Sequence, residues 1–419
     1  MIEKKDLNYS NTCSVVCKLE RSTTPLISEV EVDEGTNLAN VHFDFDFDGK
    51  NVFYPFKLPK VVEDLDFQIL VITGASGAGK SVFSRYFGKE EDITWDNHKA
   101  IISNFDNPND AVDKLNAVGL CSIPSWTKPY KVLSVGESFR ADLARRLKDN
   151  CVIDEFTSTV DRNVAMSCAS SIKKYIKAKN LKRCVFVSCH KDFIDVLCPD
   201  YVIDLDDECV YDTRGLERRR FQLSIYERQD KREVWNIFKK HHYLSADLNV
   251  ASKLYVAYLD DQLVAMCAMI GHPDIRGRSF RVHRLVVLPD YQGLGIGIKF
   301  LYEIAKMYAK AGCNFYIRTS HIKLVYHMQN HPESWVQTMR SGTQCPQNNW
   351  SWHIINNRFP YSFKYVGNCE DGAINPNLVL IKEKEVFKPE KSNLFGVTPD
   401  NVLSKFDLEK HNEEVYNKN

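Results

Sequence analysis

Gly74-Ala75-Ser76-Gly77-Ala78-Gly79-Lys80-Ser81 is the stretch on which the reading of this chain turns. The apolar run Phe67-Gln68-Ile69-Leu70-Val71-Ile72-Thr73 precedes it and Val82-Phe83-Ser84-Arg85-Tyr86-Phe87 follows, so the local order is buried strand, glycine loop, helix. That is the setting a phosphate-binding loop needs. Gly74, Gly77 and Gly79 let backbone N–H groups turn inward around a polyphosphate without a Cβ in the way, at the positive end of the predicted helix. Lys80 has the reach for β- and γ-phosphates, and Ser81 offers a hydroxyl to Mg²⁺.

Composition sets the frame around this loop. A chain of 419 residues predicts two or three folded units, and 44% hydrophobic with 26% charged residues is ordinary for a globular protein. Lys+Arg and Asp+Glu are both 55, so no global charge draws the chain to nucleic acid and any such binding must be local. The 13 cysteines show no C-x-x-C spacing and read as reduced thiols of a cytoplasmic protein. No apolar stretch approaches a membrane span, and the polar start Met1-Ile2-Glu3-Lys4-Lys5-Asp6 lacks an apolar leader core, so no membrane is expected as a partner.

Upstream of the loop, 13–19 and 30–32 read as short strands, and strict alternation over 41–47 predicts a half-buried antiparallel strand. Phe53, Tyr54 and Phe56 could each stack on a base, although core packing is the commoner fate. Downstream, a polar region over 90–129 leads to Leu133-Ser134-Val135-Gly136-Glu137 and a helix over 139–148. An apolar strand over 151–156 ends in Asp154-Glu155, the form of a parallel strand presenting acids to a nucleotide. A helix over 163–179, a strand over 184–189 ending at His190, and a last strand over 201–205 complete an alternation that predicts a mainly parallel sheet.

With these motifs in order, residues from about 10 to 213 resemble an ABC-type ATPase. The resemblance rests on the glycine loop 74–81, the signature 133–137, Asp154-Glu155, the Asp-bearing loop 158–161 and His190. It implies that Gly74, Ser76, Gly77, Gly79, Lys80 and Ser81 bind ATP, that Ser81 and Asp154 hold Mg²⁺, that Glu155 polarises the attacking water and that His190 senses the γ-phosphate. It also implies that Ser134 and Gly136 serve the nucleotide of another copy, hence an ATP-dependent head-to-tail homodimer. Two departures point away from transport: no glutamine occurs after the loop before Gln222, leaving Asn104 as the only nearby stand-in for the family's glutamine, and the segment before the signature is short.

Residues 214–232, with Arg214, Arg218, Arg219, Arg220, Lys231 and Arg232, read as a basic junction, either a solvated linker or a nucleic-acid contact. Beyond it come a helix over 231–242, a hairpin around Asp260-Asp261, a strand over 279–288, and Gln292-Gly293-Leu294-Gly295-Ile296-Gly297 opening a helix to about 310. This block, 233–384, resembles the GNAT acyltransferases, whose Gln/Arg-x-x-Gly-x-Gly/Ala loop is met by Gln292, Gly295 and Gly297. The resemblance implies that these residues and Gly293 bind the pyrophosphate of acetyl-CoA or another acyl-CoA, and that Tyr326 protonates the leaving thiolate. His283 is the candidate base, since a neutral imidazole takes a proton near pH 7. His241-His242-Tyr243 is faintly similar to an element of Mom-type enzymes that modify adenine in DNA. Trp335, Trp350, Trp352, Phe359, Tyr361, Phe363 and Tyr365, interleaved with Arg340, Arg358 and Lys364, read as a core extension or a base-stacking surface. A charged tail occupies 385–419.

The expected class is therefore α/β: an ABC-type P-loop ATPase domain over 1–213, followed by a GNAT-like mixed α/β acyltransferase domain. The expected function is an ATP-hydrolysing, CoA-thioester-dependent acyltransferase acting on nucleic acid, resembling in plan the tRNA cytidine acetyltransferases. Two alternatives stay open: an ATP-gated switch with an inactive GNAT-like domain, and a non-transport ABC ATPase acting on a protein.

Overall fold

A computed structural model describes residues 12–43, 47–216, 221–242, 247–274, 277–339, 361–367 and 378–380. It divides into two compact units, Met1–Arg219 and Arg220–Asn419, both mixed α/β. No helix among the described residues is long and apolar enough to cross a membrane.

The strands of the first unit are β1 (Ser14–Lys18), β2 (Leu26–Glu29), β3 (Lys50–Phe53), β4 (Ile69–Thr73), β5 (Val152–Ile153), β6 (Cys184–Ser188), β7 (Tyr201–Asp204) and β8 (Cys209–Asp212). Six form one sheet in the order β1-β8-β7-β4-β6-β5, while β2 and β3 pair separately. Central β4 runs parallel to β6 on one side and to β7 on the other. Every residue of β4 and β6 is buried, which is why both read as unbroken apolar runs rather than alternating ones. Leu70, Ile72, Val185, Val187 and Ile203 share a core with Phe83, from the helix that follows the glycine loop.

The structure departs from the sequence pattern in four places, the first being that 30–32 carry no strand, the strand there being β2 at Leu26–Glu29. Residues 41–43 are not strand, because Glu34–Phe43 is a helix. Asp33 fixes its start: Oδ1 accepts the Thr36 N–H at 2.9 Å, and the Asp33 N–H donates to Thr36 Oγ1 at 2.8 Å. The strand read over 151–156 shrinks to Val152–Ile153, since the chain turns with Glu155 at φ 53° and Thr157 at φ 66°. The strand at 201–205 is not the last of its unit; β8 turns back antiparallel to β7 and pairs with β1 on its other side.

The second unit contains β9 (Phe221–Arg228), β10 (Lys253–Leu259), β11 (Gln262–His272), β12 (Ser279–Val287), β13 (Asn314–Thr319), β14 (Trp335–Met339), β15 (Tyr361–Tyr365) and β16 (Leu378–Leu380). They form one sheet in the order β14-β15-β13-β12-β11-β10-β9-β16. Asp260 (φ 45°) and Asp261 (φ 67°) make the tight turn of the expected hairpin between β10 and β11. The helix Lys231–Phe238 buries Val234, Trp235 and Phe238 against Leu254, Val256, Met266 and Ala268. Because β9 pairs with β10, much of the stretch 214–232 is sheet rather than linker. Arg218, Arg219 and Arg220 lie outside the described residues.

Trp335, Phe363 and Tyr365 are buried, with Trp335 edge-on to Tyr302, Phe315 and Tyr365, so this part of the aromatic block is core. Trp350, Trp352, Phe359, Arg340, Arg358 and the tail fall outside the described residues.

Candidate functional site

Parallel pairing brings the first unit's candidate residues to one sheet edge. Thr73, at the end of β4, lies opposite Ser188 of β6 and Asp204 of β7, while Ile153 of β5 lies opposite Phe186. The glycine loop, His190 and the pair Asp154-Glu155 therefore all leave the C-terminal edge of the same sheet, where ligands of open α/β sheets bind. Gly77 (φ 81°) and Gly79 (φ 95°) are left-handed, and a Cβ on Gly79 would come within 2.5 Å of the Phe53 ring. Phe53 thus lies against the loop, whereas Phe56 is buried in the core and Tyr54 is exposed. The helix after the loop is only Lys80–Ser84, so a phosphate would be met by the loop's own N–H groups rather than by a long helix. Lys80 Nζ donates to the carbonyls of Gly74 (2.9 Å) and Ala75 (2.8 Å), folded back on the loop it would leave for a phosphate. Ser76 and Ser81 are exposed.

Asp154 is half-buried. Its Oδ1 accepts the Glu155 N–H at 2.9 Å, and its own N–H donates to Glu90 Oε1 at 3.1 Å. His190 is half-exposed, its backbone N–H donating to Ser188 Oγ at 3.1 Å. Lys191, the next residue, reaches the fully buried Asp204 at 2.7 Å and Asp206 at 3.6 Å. Asp206 Oδ1 in turn accepts the Ala75 N–H at 2.8 Å, which ties the His190 segment to the glycine loop. Lys191, Asp204, Asp206 and Glu90 were not singled out from sequence. An acid inside the apolar run Tyr201-Val202-Ile203-Asp204-Leu205 was the available signal, because a buried carboxylate requires a partner.

The signature residues are organised by their own helix, Val135–Arg146. Ser134 caps it, its N–H donates back to Glu137 Oε2 at 2.9 Å, and Ser125 Oγ donates to Glu137 at 2.5 Å. Ser134 itself is exposed and Gly136 half-exposed. Asn104 braces its own loop: Oδ1 accepts the Asp96 N–H at 2.8 Å and Nδ2 donates to Ala100 O at 3.0 Å.

In the second unit the site forms where the sheet comes apart. Between β11 and β12 the register shifts, Ala268 facing Arg284 and Met269 facing Val282, so His283 is the extra residue of a bulge. Parallel pairing of β12 with β13 covers only Ser279, Phe280 and Arg281 against Asn314, Phe315 and Tyr316, although both strands continue. The two strands splay beyond that point, and residues 280–285 are half-exposed in the middle of an eight-stranded sheet. Below the splay, Gly293 (φ 96°) and Gly295 (φ 88°) are left-handed, and Gly295 is the N-cap of the 15-residue helix Ile296–Lys310. Gln292 Nε2 donates to Val287 O at 2.9 Å, bracing this loop onto the end of β12. A Cβ on Gly297 would meet Val287 Cγ2 at 3.2 Å. Left-handed glycines at the start of a helix, just after the splayed strand, present backbone N–H groups of the kind that meet phosphate oxygens.

His283 is less free than a resting base should be. Its Nε2 accepts the Asn249 N–H at 3.3 Å, and the Asp247 backbone also bonds the ring. Burial, followed by the charges of Arg284, Arg281 and His242, pushes its pKa down to about 4. Tyr326, on the helix Ile322–Gln329, is 66% exposed, leaving its hydroxyl accessible. His241 is likewise held below its usual pKa, by burial first and then Lys240, and His242 packs edge-on to Trp235 at 5.8 Å. Tyr243 lies outside the described residues.

The Acetyltransferase (GNAT) family model matches residues 217–323. This stretch is a GNAT acetyltransferase domain. The splayed strands and glycine loop described above lie within it. Among solved structures, the chain is similar to an IAA acetyltransferase from Bacillus cereus at 13% identity, covering 34% of this chain and 99% of that one, TM-score 0.27. A Bacillus subtilis acetyltransferase in complex with CoA matches at 13% identity over 35% and 99%, TM-score 0.27. A dimeric bacterial ABC transporter cassette matches at 14% identity over 38% and 88%, TM-score 0.28. No curated protein sequence matches the chain.

Proposed function

We propose that this chain is an ATP-gated acyltransferase: the GNAT domain takes an acyl group from acetyl-CoA or another acyl-CoA, and an ABC-type first unit binds and hydrolyses ATP. The observation that carries the transferase half is the splay of β12 from β13, with β12 leading straight into the left-handed glycine loop. The unpaired edge of β12 offers backbone groups to pantetheine amides, and the N–H groups of 293–297 take the pyrophosphate. The acceptor's nucleophile attacks the thioester carbon, the carbon–sulfur bond breaks, and the Tyr326 hydroxyl gives its proton to the departing thiolate. The acceptor's proton goes to His283, which requires the Asn249 bond to open first. A nucleic acid is the acceptor we favour, because a small substrate would rarely need an ATPase.

In the first unit, Lys80 and the loop N–H groups would hold the phosphates, while Ser81 and Asp154 would hold Mg²⁺, which would neutralise phosphate charge. Glu155 orients the attacking water, His190 contacts the γ-phosphate, and the exposed Ser134 and Gly136 are available to the nucleotide of a second copy. Calorimetry with acetyl-CoA, and Mg²⁺-dependent ATP hydrolysis that Lys80→Ala abolishes, test the two halves separately. The engagement of His283 favours a second reading, in which the GNAT domain binds an acyl-CoA without transferring it. Binding of acetyl-CoA with no labelled product on any acceptor would select that reading.

A further inference from the structure

Residues 90–95 are strapped along the C-terminal half of the helix Val135–Arg146. Arg145 Nη1 donates to Thr94 O at 2.5 Å, Arg146 Nε donates to Glu91 O at 3.0 Å, and Lys148 pairs with Glu91 at 2.5 Å. Trp95 Nε1 donates to Asp142 Oδ1 at 2.7 Å, and the indole stacks at 5.0 Å on Tyr130, whose hydroxyl donates to Asp142 Oδ2 at 2.7 Å. Asp142, Arg145 and Arg146 stand at i, i+3 and i+4, one face of the helix. Glu90 ends the strap: Oε1 accepts the Asp154 N–H at 3.1 Å and lies 3.3 Å from Arg146 Nη1. One residue on, Glu155 is held at φ 53°, a left-handed conformation that a non-glycine residue keeps only when its surroundings fix it. One carboxylate thus joins the helix that begins at Ser134 to the peptide that aims Asp154 and Glu155.

We propose that Glu90 is a positioning residue coupling the helix Val135–Arg146 to the acid pair Asp154-Glu155, so that contact made at Ser134 changes the alignment of Glu155. The proposal rests on the reading of the first unit as an ATPase. In this proposal Glu90 acts through the Asp154 peptide, whose N–H its carboxylate accepts. The helix is a rigid lever of 12 residues, the strap fixes its far half, and the turn at Glu155 is the element that can change state.

The test uses the full chain, with steady-state ATP hydrolysis, affinity for a fluorescent ATP analogue and thermal melting of the native protein, Glu90→Ala, Glu90→Gln, Arg146→Ala and Lys80→Ala. Glu90→Ala should lower kcat by about tenfold or more while KM and analogue affinity stay within about twofold, the pattern of an interaction felt only in the chemical step. Glu90→Gln should recover part of the rate, because its amide oxygen still accepts the Asp154 N–H while the pairing with Arg146 is lost. Arg146→Ala should resemble Glu90→Gln. Native kcat in Glu90→Ala, or a parallel loss of rate and affinity, overturns the proposal. If Glu90→Ala fails to melt cooperatively, the other two variants decide: reduced kcat at unchanged affinity supports coupling, and native kcat in both overturns it. Absence of Lys80-dependent hydrolysis in the native chain overturns the ATPase reading and this inference with it.

Discussion

Replacing Lys191 by Met removes the ammonium that faces Asp204, a carboxylate with no solvent exposure, at 2.7 Å. Breaking a fully buried pair by deleting one partner costs about 3–5 kcal/mol, whereas an exposed pair contributes about 0–1 kcal/mol. Lys191 is 40% exposed, so water screens part of the attraction, and Asp204 Oδ1 keeps the N–H bonds from Asp206 (3.0 Å) and Asp207 (3.4 Å). The cost should therefore fall between the limits, at about 2–3 kcal/mol. In a unit of this size each kcal/mol moves the midpoint by roughly 2–4 °C, so the first-unit transition should fall by roughly 4–12 °C in scanning calorimetry. Adding Asp204→Asn to Lys191→Met should recover much of the loss, since the uncompensated charge is then gone. A drop below about 0.5 kcal/mol, or a double variant no more stable than Lys191→Met, would refute the claim that this pair holds the His190 segment in place.

The site makes further predictions. Glu155→Gln should retain ATP binding, lose hydrolysis by orders of magnitude and accumulate an ATP-bound dimer in light scattering; a monomer at all concentrations would argue against the head-to-tail sandwich. Gly297→Val should weaken acetyl-CoA by about tenfold or more in calorimetry, because its side chain meets Val287 Cγ2 at about the 3.2 Å a Cβ would and must shift the start of the helix whose N–H groups the cofactor would use; melting measured alongside separates this from global unfolding. Unchanged affinity would move the cofactor elsewhere. Burial and neighbouring cations hold His283 at about pKa 4, and burial with His331 holds His327 at about 4, against 6.5 for a free imidazole. Both rings are neutral in the fold and protonate first when unfolded, so the second unit should be most stable above about pH 6.5 and lose stability as pH falls toward 4. His283→Gln should flatten that slope, and a second-unit midpoint that rises on acidification would contradict the assignment.

Motif spacing named the candidate residues, while residue pattern alone misplaced some of the elements around them. The loop 74–81 and the acids after β5 could be picked out because each follows a buried apolar run that forms a parallel strand, β4 at the centre of the sheet and β5 at its edge. The glycine loop at 292–297 could be picked out for a different reason, its place between a strand and an amphipathic helix. Period-2 alternation misled at 41–43, where the Asp33–Thr36 capping pair starts a helix, and the arginines before Phe221 concealed β9 inside an apparent linker. Neither the bracing of His283 by Asn249 nor the reach of Lys191 to Asp204 could be read in advance, because both join segments far apart in sequence through contacts that only the tertiary fold creates.

Coupling between the two units is the central claim, and transfer of labelled acetyl groups tests it most directly. The native chain, Lys80→Ala and Glu155→Gln are each incubated with labelled acetyl-CoA and either DNA or RNA, with and without Mg²⁺ and ATP, and the nucleic acid is counted and digested for mass spectrometry. The account predicts a labelled nucleotide formed by the native chain only when ATP is present, and none with Lys80→Ala. Labelling that is equal with and without ATP, and equal in Lys80→Ala, would contradict it.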